Sequence, residues 1–575
     1  MANQVDQFFP ESSATHRRRW LVMLYAGVLL AGVCFLQFAL GAFPTRIYGH
    51  DLLIFLNGAW RVASGQIPCV DFYSGLGVLV WKPIQWAFSL YGYKAGAIGL
   101  ARALYTAVLG VWFLLLIWRE PIRRRLIVLW LFLLIFVSAA RPLGEYPTWI
   151  SHAMFYNRVG YALVFLIIFE QLSISRFWAL DSGSDLHREP QFWSGFSTGA
   201  AVACTILLKI SFLIPAAAVL GLGLLFFGLN RRHIAGLLGG VLATFALAIA
   251  FLHFQPVAFL RETIILGRER QGMLESQLVS TIVRDLGETL FALAAGITIA
   301  IVGFVQRQVA LKYIFATLVI VGLDIFCRAT NAMRGDLPLA AFWCLSGVVL
   351  LRSFPGASLG TRYLQPRFIV SLLVLSPMVI PIVVMDFTSS VYAVFKTRAI
   401  RKQEEPRFAS RALSSWVPLD WEGDETTWMN ENGKPLVLIT NDGLQLLRNL
   451  SRPEETVASI SFVDIFSFAL NRRPPEGGAV WIDPNNNVSQ NHPLPVEMLI
   501  GRPDLLMVQG TSDLNSTNVR AIFETYPDLL TKDFELVGKS GFWSLYRRRG
   551  EQPNSSSMQI SNLKSLQQPG AAFLW

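Results

Sequence analysis

Charged residues are scarce in this chain of 575 residues, since Asp, Glu, Lys and Arg make up only 15% of it, against about a quarter in soluble domains. Its five cysteines are scattered, and none stands in a CxxC or CxxH spacing. The sequence therefore indicates neither a disulfide framework nor a zinc site. It also lacks a glycine-rich GxGxxG motif after a strand, a Walker motif and an Asp-x-Asp motif, so cytoplasmic nucleotide-sugar chemistry is not expected.

Apolar residues dominate the composition. Hydrophobic residues make up 53% of the chain and aromatic residues 13%, and the mean hydropathy is +0.45. These values are typical of polytopic membrane proteins. The formal net charge is +10, but most basic residues stand in short loops between apolar runs. Membrane orientation explains that placement better than nucleic-acid binding does, so no nucleic-acid partner is expected.

The apolar runs predict about eleven membrane spans, of which the first is an uncleaved anchor. The run 196–229 is too long for one span, and Lys209 and Pro215 interrupt it, so it predicts two helices that turn near Lys209. With that split, every strongly basic loop faces the cytoplasm. The ten runs begin near Trp20, Ala95, Leu126, Val159, Phe196, Ile234, Leu286, Leu311, Leu337 and Phe368.

The predicted fold is a polytopic α-helical membrane protein with a C-terminal soluble α/β domain. Residues 1–19 form a cytoplasmic N-terminus, 20–387 the transmembrane domain with a long outer loop at 44–93, 388–549 an extracytoplasmic α/β domain, and 550–575 a disordered tail. The α/β domain is expected to contain strands at 435–440, 479–483 and 504–508, helices near Val496 and Val519, and a closing hairpin at 534–547.

The segment that follows the first apolar run is the most informative part of the sequence. Asp51 stands at the outer membrane edge and opens a short amphipathic helix, which Gly65 and Pro68 stop. One interpretation is a helix N-cap, because Asp accepts hydrogen bonds from free backbone N–H groups. The other is a general base that takes a proton from an attacking hydroxyl. The residues alone favour the cap.

This segment resembles the first outer loop of the GT-C superfamily of membrane glycosyltransferases, which includes protein O-mannosyltransferases and lipid A aminoarabinose transferases. Leu52 departs from the pattern, because many relatives carry Glu there. A glycine-rich span that begins at Gly195 and ends in Lys209 is a second match. The resemblance covers about 20–387 and implies that Asp51 is catalytic. The matching residues of the loop are Asp51, Ala59, Gly65, Pro68, Asp71 and Phe72.

Two further carboxylates are candidates for an acid or a second base. Asp71 lies in a turn after Pro68, where Asp commonly makes local hydrogen bonds, so a structural role is favoured. Glu145 stands in an outer loop that also carries His152 and Tyr156. That clustering makes the loop a candidate wall of a pocket.

Several cations are candidates for binding a donor phosphate. Lys209 interrupts an apolar run, and it either snorkels to the interface or binds the phosphate from the outer end of a short helix. Outer arginines either form salt bridges or cradle the phosphate, which suits their planar fork. The candidates are Arg141, Arg158, Arg268, Arg270 and Arg334.

Together these features predict an inverting glycosyltransferase of a bacterial plasma (inner) membrane. It would move a sugar from a polyprenyl-phosphate donor to a lipid, glycan or protein acceptor at the outer face. Asp51 would activate the acceptor, and no cofactor is needed, although a divalent metal is compatible with the scheme. A transporter or flippase, or a polysaccharide polymerase or ligase of another fold, are the alternatives; a transporter is expected to show paired repeats.

Overall fold

The computed structural model describes residues 13–118, 123–174, 191–227, 230–270, 273–304, 307–331, 335–351, 361–400, 402, 407–419, 436–484, 487–488, 492–510 and 517–550. The predicted tail lies outside these residues, apart from Gly550, and so do the first twelve residues of the predicted cytoplasmic N-terminus.

Helices make up most of the described chain up to residue 400. Each of the ten predicted apolar runs coincides with a helix or begins beside one. These helices are Ser13–Leu40, Ala97–Trp118, Arg123–Ser138, Phe155–Ile174, Phe192–Leu208, Leu213–Phe227, Arg231–Leu252, Leu286–Gly303, Arg307–Asn331, Pro338–Leu351 and Thr361–Ile400. Four more helices lie in the connections: Gly49–Ala63, Val78–Tyr91, Pro256–Glu269 and Met273–Arg284.

Within the described residues, five helices are long and apolar enough to cross a membrane, or six if the bent pair Met273–Arg284 and Leu286–Val302 forms one span. The bend in that pair is 70°. Other apolar helices, such as Phe192–Leu208, are shorter. The fold is therefore mostly helical with several candidate spans. The five are Trp20–Leu40, Ala97–Trp118, Arg231–Leu252, Arg307–Asn331 and Ile369–Ile400.

The long apolar run breaks at Lys209, as the sequence predicts. The helix Phe192–Leu208 ends one residue earlier, and the backbone of Lys209 is extended, with φ −162° and ψ 123°. A single 3₁₀ turn, Ile210–Phe212, leads into the helix Leu213–Phe227. Lys209 thus stands between the two helices, and it lines the cavity described below.

A small four-stranded sheet forms in the C-terminal part of the chain. Its strands are β1 (Val457–Ile460), β2 (Leu505–Gln509), β3 (Phe534–Lys539) and β4 (Trp543–Arg548), in the order β1-β2-β4-β3. β1 pairs with β2 in parallel, and the other pairs are antiparallel. The helices here are Leu436–Leu450, Phe466–Ala469, Val496–Leu499, Thr517–Thr525 and Leu529–Asp533. The predictions of β2, the β3–β4 hairpin and the helices at Val496 and Val519 are confirmed.

The strand predicted at 435–440 is wrong, because Leu436–Leu450 is a helix. Its apolar residues also recur at helical spacing and pack inward, and the polar Asn441-Asp442 pair bonds other segments instead of forming a turn. Asp442 accepts hydrogen bonds from Ser540 Oγ (2.5 Å) and the Phe542 N–H (2.9 Å), so it fixes the β3–β4 hairpin.

Two other boundaries differ from the prediction. The segment 479–483 is predicted as a strand, but in the described residues it makes only isolated bridges. Ala479 pairs with Tyr73 and Trp481 with Val463, because the segment lies between the loop 44–93 and the C-terminal part. The last long helix runs on to Ile400, so the domain boundary expected between 387 and 388 falls inside a helix.

The helix Gly49–Ala63, called here the loop helix, is buried along nearly its whole length. The sequence predicts a half-exposed amphipathic helix, but the segment 472–480 covers its polar side chains. Asn57 Nδ2 donates to the Val480 carbonyl (3.1 Å), and Trp60 Nε1 donates to the Arg472 carbonyl (2.8 Å). The Arg61 guanidinium donates to the Gly477 carbonyl (2.8 Å). These three side-chain donors are thus paired by carbonyls that lie more than 400 residues later in the chain.

Candidate active site

A cavity of about 350 Å³ lies at the start of the loop helix. The loop helix, the helix break at Lys209 and the segment 154–156 form part of its wall. Arg270, the helices Met273–Arg284 and Arg307–Asn331, and the C-terminal part of the chain supply most of the rest. The lining residues are Tyr48, His50, Asp51, Ile54, Phe55, Leu76, Met154, Tyr156, Lys209, Arg270, Gln277, Thr330, Asn331, Phe462, Trp481 and Asp483.

Asp51 is the third residue of the loop helix and not its N-cap, so the capping interpretation is wrong. The helix begins at Gly49, and the residue before it, Tyr48, takes a left-handed conformation with φ 52°. No side chain caps the helix. The Asp51 carboxylate instead accepts a hydrogen bond from the Met154 N–H at 3.2 Å through Oδ2. Asp51 is 9% exposed and lines the cavity, so it is held by a neighbouring segment and remains accessible from the cavity.

His50 and Tyr48 flank this carboxylate. His50 Nε2 lies 3.2 Å from Asp51 Oδ1, and the His50 ring meets the Phe462 ring edge-on at a centroid distance of 4.4 Å. The Tyr48 hydroxyl donates to Glu145 Oε1 at 3.3 Å. The structure thus places a histidine in contact with Asp51 and keeps Glu145 behind Tyr48, outside the cavity lining.

Lys209 reaches the same cavity from the helix break. Its ammonium donates to Oδ1 of Asn331 and lies over the Tyr156 ring, 5.3 Å from the ring centroid. Both partners are uncharged, so the Lys209 charge is not cancelled by them. Asp51 and Lys209, which are 158 positions apart in the sequence, therefore share one cavity.

Arg270 follows the helix Pro256–Glu269 and lines the cavity together with Asp483. Burial lowers the pKa of the Arg270 guanidinium from its usual value, and Tyr156 and Asp483 oppose that shift. The cavity therefore combines two carboxylates, Asp51 and Asp483, with two cations, Lys209 and Arg270. Such a set suits a ligand that carries both an anionic group and hydroxyls.

Arg141 and Arg158 do not line this cavity. Both are buried and share Asp386: Arg141 Nε lies 2.8 Å from Oδ1, and an Arg158 nitrogen lies 2.9 Å from Oδ2. Arg141 also pairs with Asp336 at 2.6 Å. Their predicted alternative, a salt bridge, is what the structure contains, and Asp386 is the partner that the sequence did not reveal.

Asp386→Ala is expected to destabilise the protein by roughly 3–5 kcal/mol, because it leaves two buried guanidinium groups without their shared carboxylate. The measurement is the midpoint of denaturant-induced unfolding of the purified protein in detergent. Asp528→Ala in the C-terminal part is a control, because Asp528 makes no ion pair in the described residues. Equal midpoints for the two variants would contradict a stabilising role for the network.

The remaining predicted residues are dispersed. Asp71 accepts a hydrogen bond from the Ile67 N–H at 2.7 Å, which agrees with the turn role favoured for it. Arg268 is exposed and does not line the cavity. Arg334 lies outside the described residues. Of the six predicted phosphate ligands, the structure brings Lys209 and Arg270 to the cavity.

The contributions of His50, Phe462, Trp481 and Asp483 were missed from the sequence. Trp481 and Asp483 stand at the end of a short apolar run, which was the one available signal. No feature of the local sequence indicates that this run contacts the first outer loop. Among the described residues, no group of three or more His, Cys, Asp or Glu side chains is placed to hold a metal ion.

Two solved structures that resemble the structure of this chain are crystal structures of ArnT. The crystal structure of ArnT from Cupriavidus metallidurans bound to undecaprenyl phosphate has a TM-score of 0.42 and 14% sequence identity, and the similarity covers 92% of this chain and 97% of that chain. For the apo state the values are 0.39, 13%, 93% and 98%.

No protein-family model matches the sequence, and no curated protein matches it. At 13–14% identity, the alignment with ArnT assigns no role to any residue of this chain. The roles of the cavity residues therefore rest on their own chemistry and placement.

Proposed function

We propose that this protein is a membrane glycosyltransferase that takes a sugar from a polyprenyl-phosphate donor and transfers it to an acceptor hydroxyl at the outer face of the membrane. The observation that carries the proposal is the shared cavity of Asp51, Lys209 and Arg270. Such a displacement needs a base beside the acceptor and positive charge beside the departing phosphate, and these three residues supply both. The binding of undecaprenyl phosphate by ArnT, a structural neighbour, is consistent with this donor class.

The reaction is a single displacement at the anomeric carbon. The acceptor oxygen forms a bond to that carbon, its proton passes to the Asp51 carboxylate, and the bond between the carbon and the phosphate oxygen breaks. The electron pair of that bond leaves with the polyprenyl phosphate, and the configuration at the anomeric carbon inverts. His50, at 3.2 Å from Asp51, orients the carboxylate.

Lys209 and Arg270 stabilise the leaving group. The phosphate gains negative charge as the bond to the sugar breaks, so cations beside it bind the transition state more tightly than the ground state. One cation about 4 Å from a phosphate oxygen contributes roughly 4 kcal/mol at an effective dielectric constant near 20. Two such residues are sufficient, and Arg141 and Arg158 are not needed.

The membrane topology is part of the same proposal. About eleven spans would place the loop helix and the C-terminal part outside the cytoplasm, because the basic loops then lie on the cytoplasmic side. The extracytoplasmic α/β unit would begin after the long helix that ends at Ile400, and it would supply Phe462, Trp481 and Asp483 to the cavity. The donor chain would enter laterally from the membrane.

Sealed vesicles of known orientation test both the activity and its side. Vesicles that contain the protein are given a panel of synthetic polyprenyl-phosphate sugars with a membrane lipid extract as acceptor, and the release of free polyprenyl phosphate is measured. We expect release where the outer face is accessible to the acceptor. Donor movement between leaflets without release of polyprenyl phosphate would instead indicate a flippase and would refute the proposal.

A further inference from the structure

A second cavity, of about 300 Å³, lies between the helices Ser13–Leu40, Ala97–Trp118, Arg123–Ser138 and Thr361–Ile400. No described residue lines both this cavity and the one at Asp51. Its volume is at the lower end of the range of about 300–1,000 Å³ typical of small-molecule sites. Most of its wall is apolar, and the polar side chains in it are Gln37, Arg102, Ser138 and Ser390.

The cavity adjoins a surface that suits lipid. Three of its lining side chains, Leu29, Leu36 and Phe387, are 45%, 38% and 60% exposed. They belong to Trp20–Leu40 and Ile369–Ile400, two of the helices that are long and apolar enough to cross a membrane. An amphiphile can therefore enter from the bilayer and leave its chain along this apolar surface.

Arg102 supplies a buried positive charge in this cavity. It is 6% exposed, donates to the carbonyls of Ser138 (3.2 Å) and Ala139 (2.5 Å), and lies over the Phe43 ring. All of these partners are neutral, and no carboxylate in the described part of the chain forms an ion pair with Arg102. A buried cation is costly without a counter-ion, so this position favours an anion.

The neighbouring charges do not neutralise Arg102. The charged side chain that acts on it is Arg158, which is itself a cation. Arg158 and Arg141 already share Asp386, and Arg141 also pairs with Asp336, so two carboxylates balance these two cations. The one positive charge of Arg102 is therefore in excess, and the single negative charge of a phosphodiester would balance it.

Gln37 supplies a neutral donor and acceptor beside this charge. It is 6% exposed and lines the cavity, and neither its side-chain oxygen nor its nitrogen has a hydrogen-bond partner. It lies close to Arg102, because Gly99, one helical turn earlier, packs against the Gln37 backbone: a Cβ there would lie 2.5 Å from the Gln37 carbonyl oxygen. Buried amides are normally paired, so the unpaired Gln37 amide indicates a polar ligand.

We propose that this cavity binds an anionic glycerophospholipid from the surrounding membrane. The phosphodiester lies at the Arg102 guanidinium, an ester carbonyl or hydroxyl of the glycerol pairs with the Gln37 amide, and one acyl chain follows the apolar wall. Free polyprenyl phosphate has no ester or hydroxyl beside its phosphate, so it would leave the Gln37 amide unpaired. The proposal does not depend on the proposed sugar transfer.

Native mass spectrometry of the full-length protein in detergent tests the proposal with phosphatidylglycerol and phosphatidylcholine as probes. Val33→Trp fills the cavity while Arg102 and Gln37 stay unchanged in sequence, and Val28→Trp adds the same bulk to the exposed side of the same helix. We expect phosphatidylglycerol to bind the wild type at least about tenfold more tightly than phosphatidylcholine does. Val33→Trp should bind it about tenfold more weakly than wild type, and Val28→Trp should match the wild type.

Arg102→Gln and Gln37→Leu provide the second arm. Both should weaken phosphatidylglycerol binding, and Arg102→Gln should also abolish the preference over phosphatidylcholine. If Arg102→Gln does not fold, the matched tryptophan pair still decides the outcome. Equal binding by Val33→Trp and Val28→Trp would overturn the proposal. So would displacement of phosphatidylglycerol by equimolar polyprenyl phosphate, because the cavity would then belong to the donor chain.

Discussion

Asp51→Asn should lower sugar transfer by about 10²–10⁴-fold while leaving the fold intact, because the amide cannot accept the acceptor's proton. The variant keeps an oxygen for the Met154 N–H bond, puts an amide group in place of the carboxylate oxygen beside His50 Nε2, and loses the favourable charge near a helix N-terminus, worth about 0.3–1 kcal/mol. The measurement is the rate of polyprenyl phosphate release in membranes at matched protein levels, together with the unfolding midpoint.

Asp71→Asn is the matched control, because Asp71 belongs to the same outer loop but only accepts a hydrogen bond from the Ile67 N–H. We expect it to keep transfer within a few-fold of wild type. Asp51→Ala should lose activity and also stability, by about 1 kcal/mol, because the part-buried Met154 N–H loses its acceptor. An Asp51→Asn protein that transfers sugar at the wild-type rate would exclude Asp51 as the base and would direct attention to Asp483.

Lys209→Met should reduce kcat/KM for the donor by about 10–10³-fold, because the charge that stabilises the departing phosphate is removed. Methionine keeps a long, flexible, apolar side chain, so the packing at the helix break should survive. The assay is again the release of polyprenyl phosphate, now at several donor concentrations. Lys209→Arg should retain part of the activity because the charge remains.

Lys94→Met controls for the loss of a lysine, since Lys94 is exposed and does not line the cavity. It should match the wild type. If Lys209→Met folds and its kcat/KM also matches the wild type, then Lys209 only pairs with Asn331 and Tyr156, and Arg270 alone would have to neutralise the phosphate.

The local features of the fold and of the site could be predicted from the sequence. The helix break at Lys209 follows from the cost of a cation and a proline inside one apolar run. The loop helix ends at Ala63, ahead of Gly65 with φ 92°, as its glycine and proline indicate. The sequence indicates Asp51 through its resemblance to the first outer loop of the GT-C superfamily and Lys209 as a cation inside an apolar run, and the structure places both in one cavity.

The features that depend on distant pairing could not be predicted. Arg141 and Arg158 look like free outer cations until the long helix brings Asp386 between them. The four apolar residues that begin the helix Leu436–Leu450 are equally compatible with a strand. The hydrogen bonds of Asp442 to the β3–β4 hairpin show why a helix forms there. Periodicity alone cannot separate a short buried strand from a buried helix.

The pairing of the loop helix with residues 472–480 has a consequence for how the protein is synthesised. Asn57, Trp60 and Arg61 are translated early, yet the carbonyls that pair with them belong to residues 472–480. During most of translation the nascent chain therefore carries Asp51 on a helix whose polar groups are unpaired, and such long-range closure is slow. A chain released before residue 472 would contain Asp51 and Lys209 but no finished wall around them, so early termination should yield an inactive, protease-sensitive product. Residues from 472 onward must therefore be synthesised before the loop that carries Asp51 can form a complete cavity.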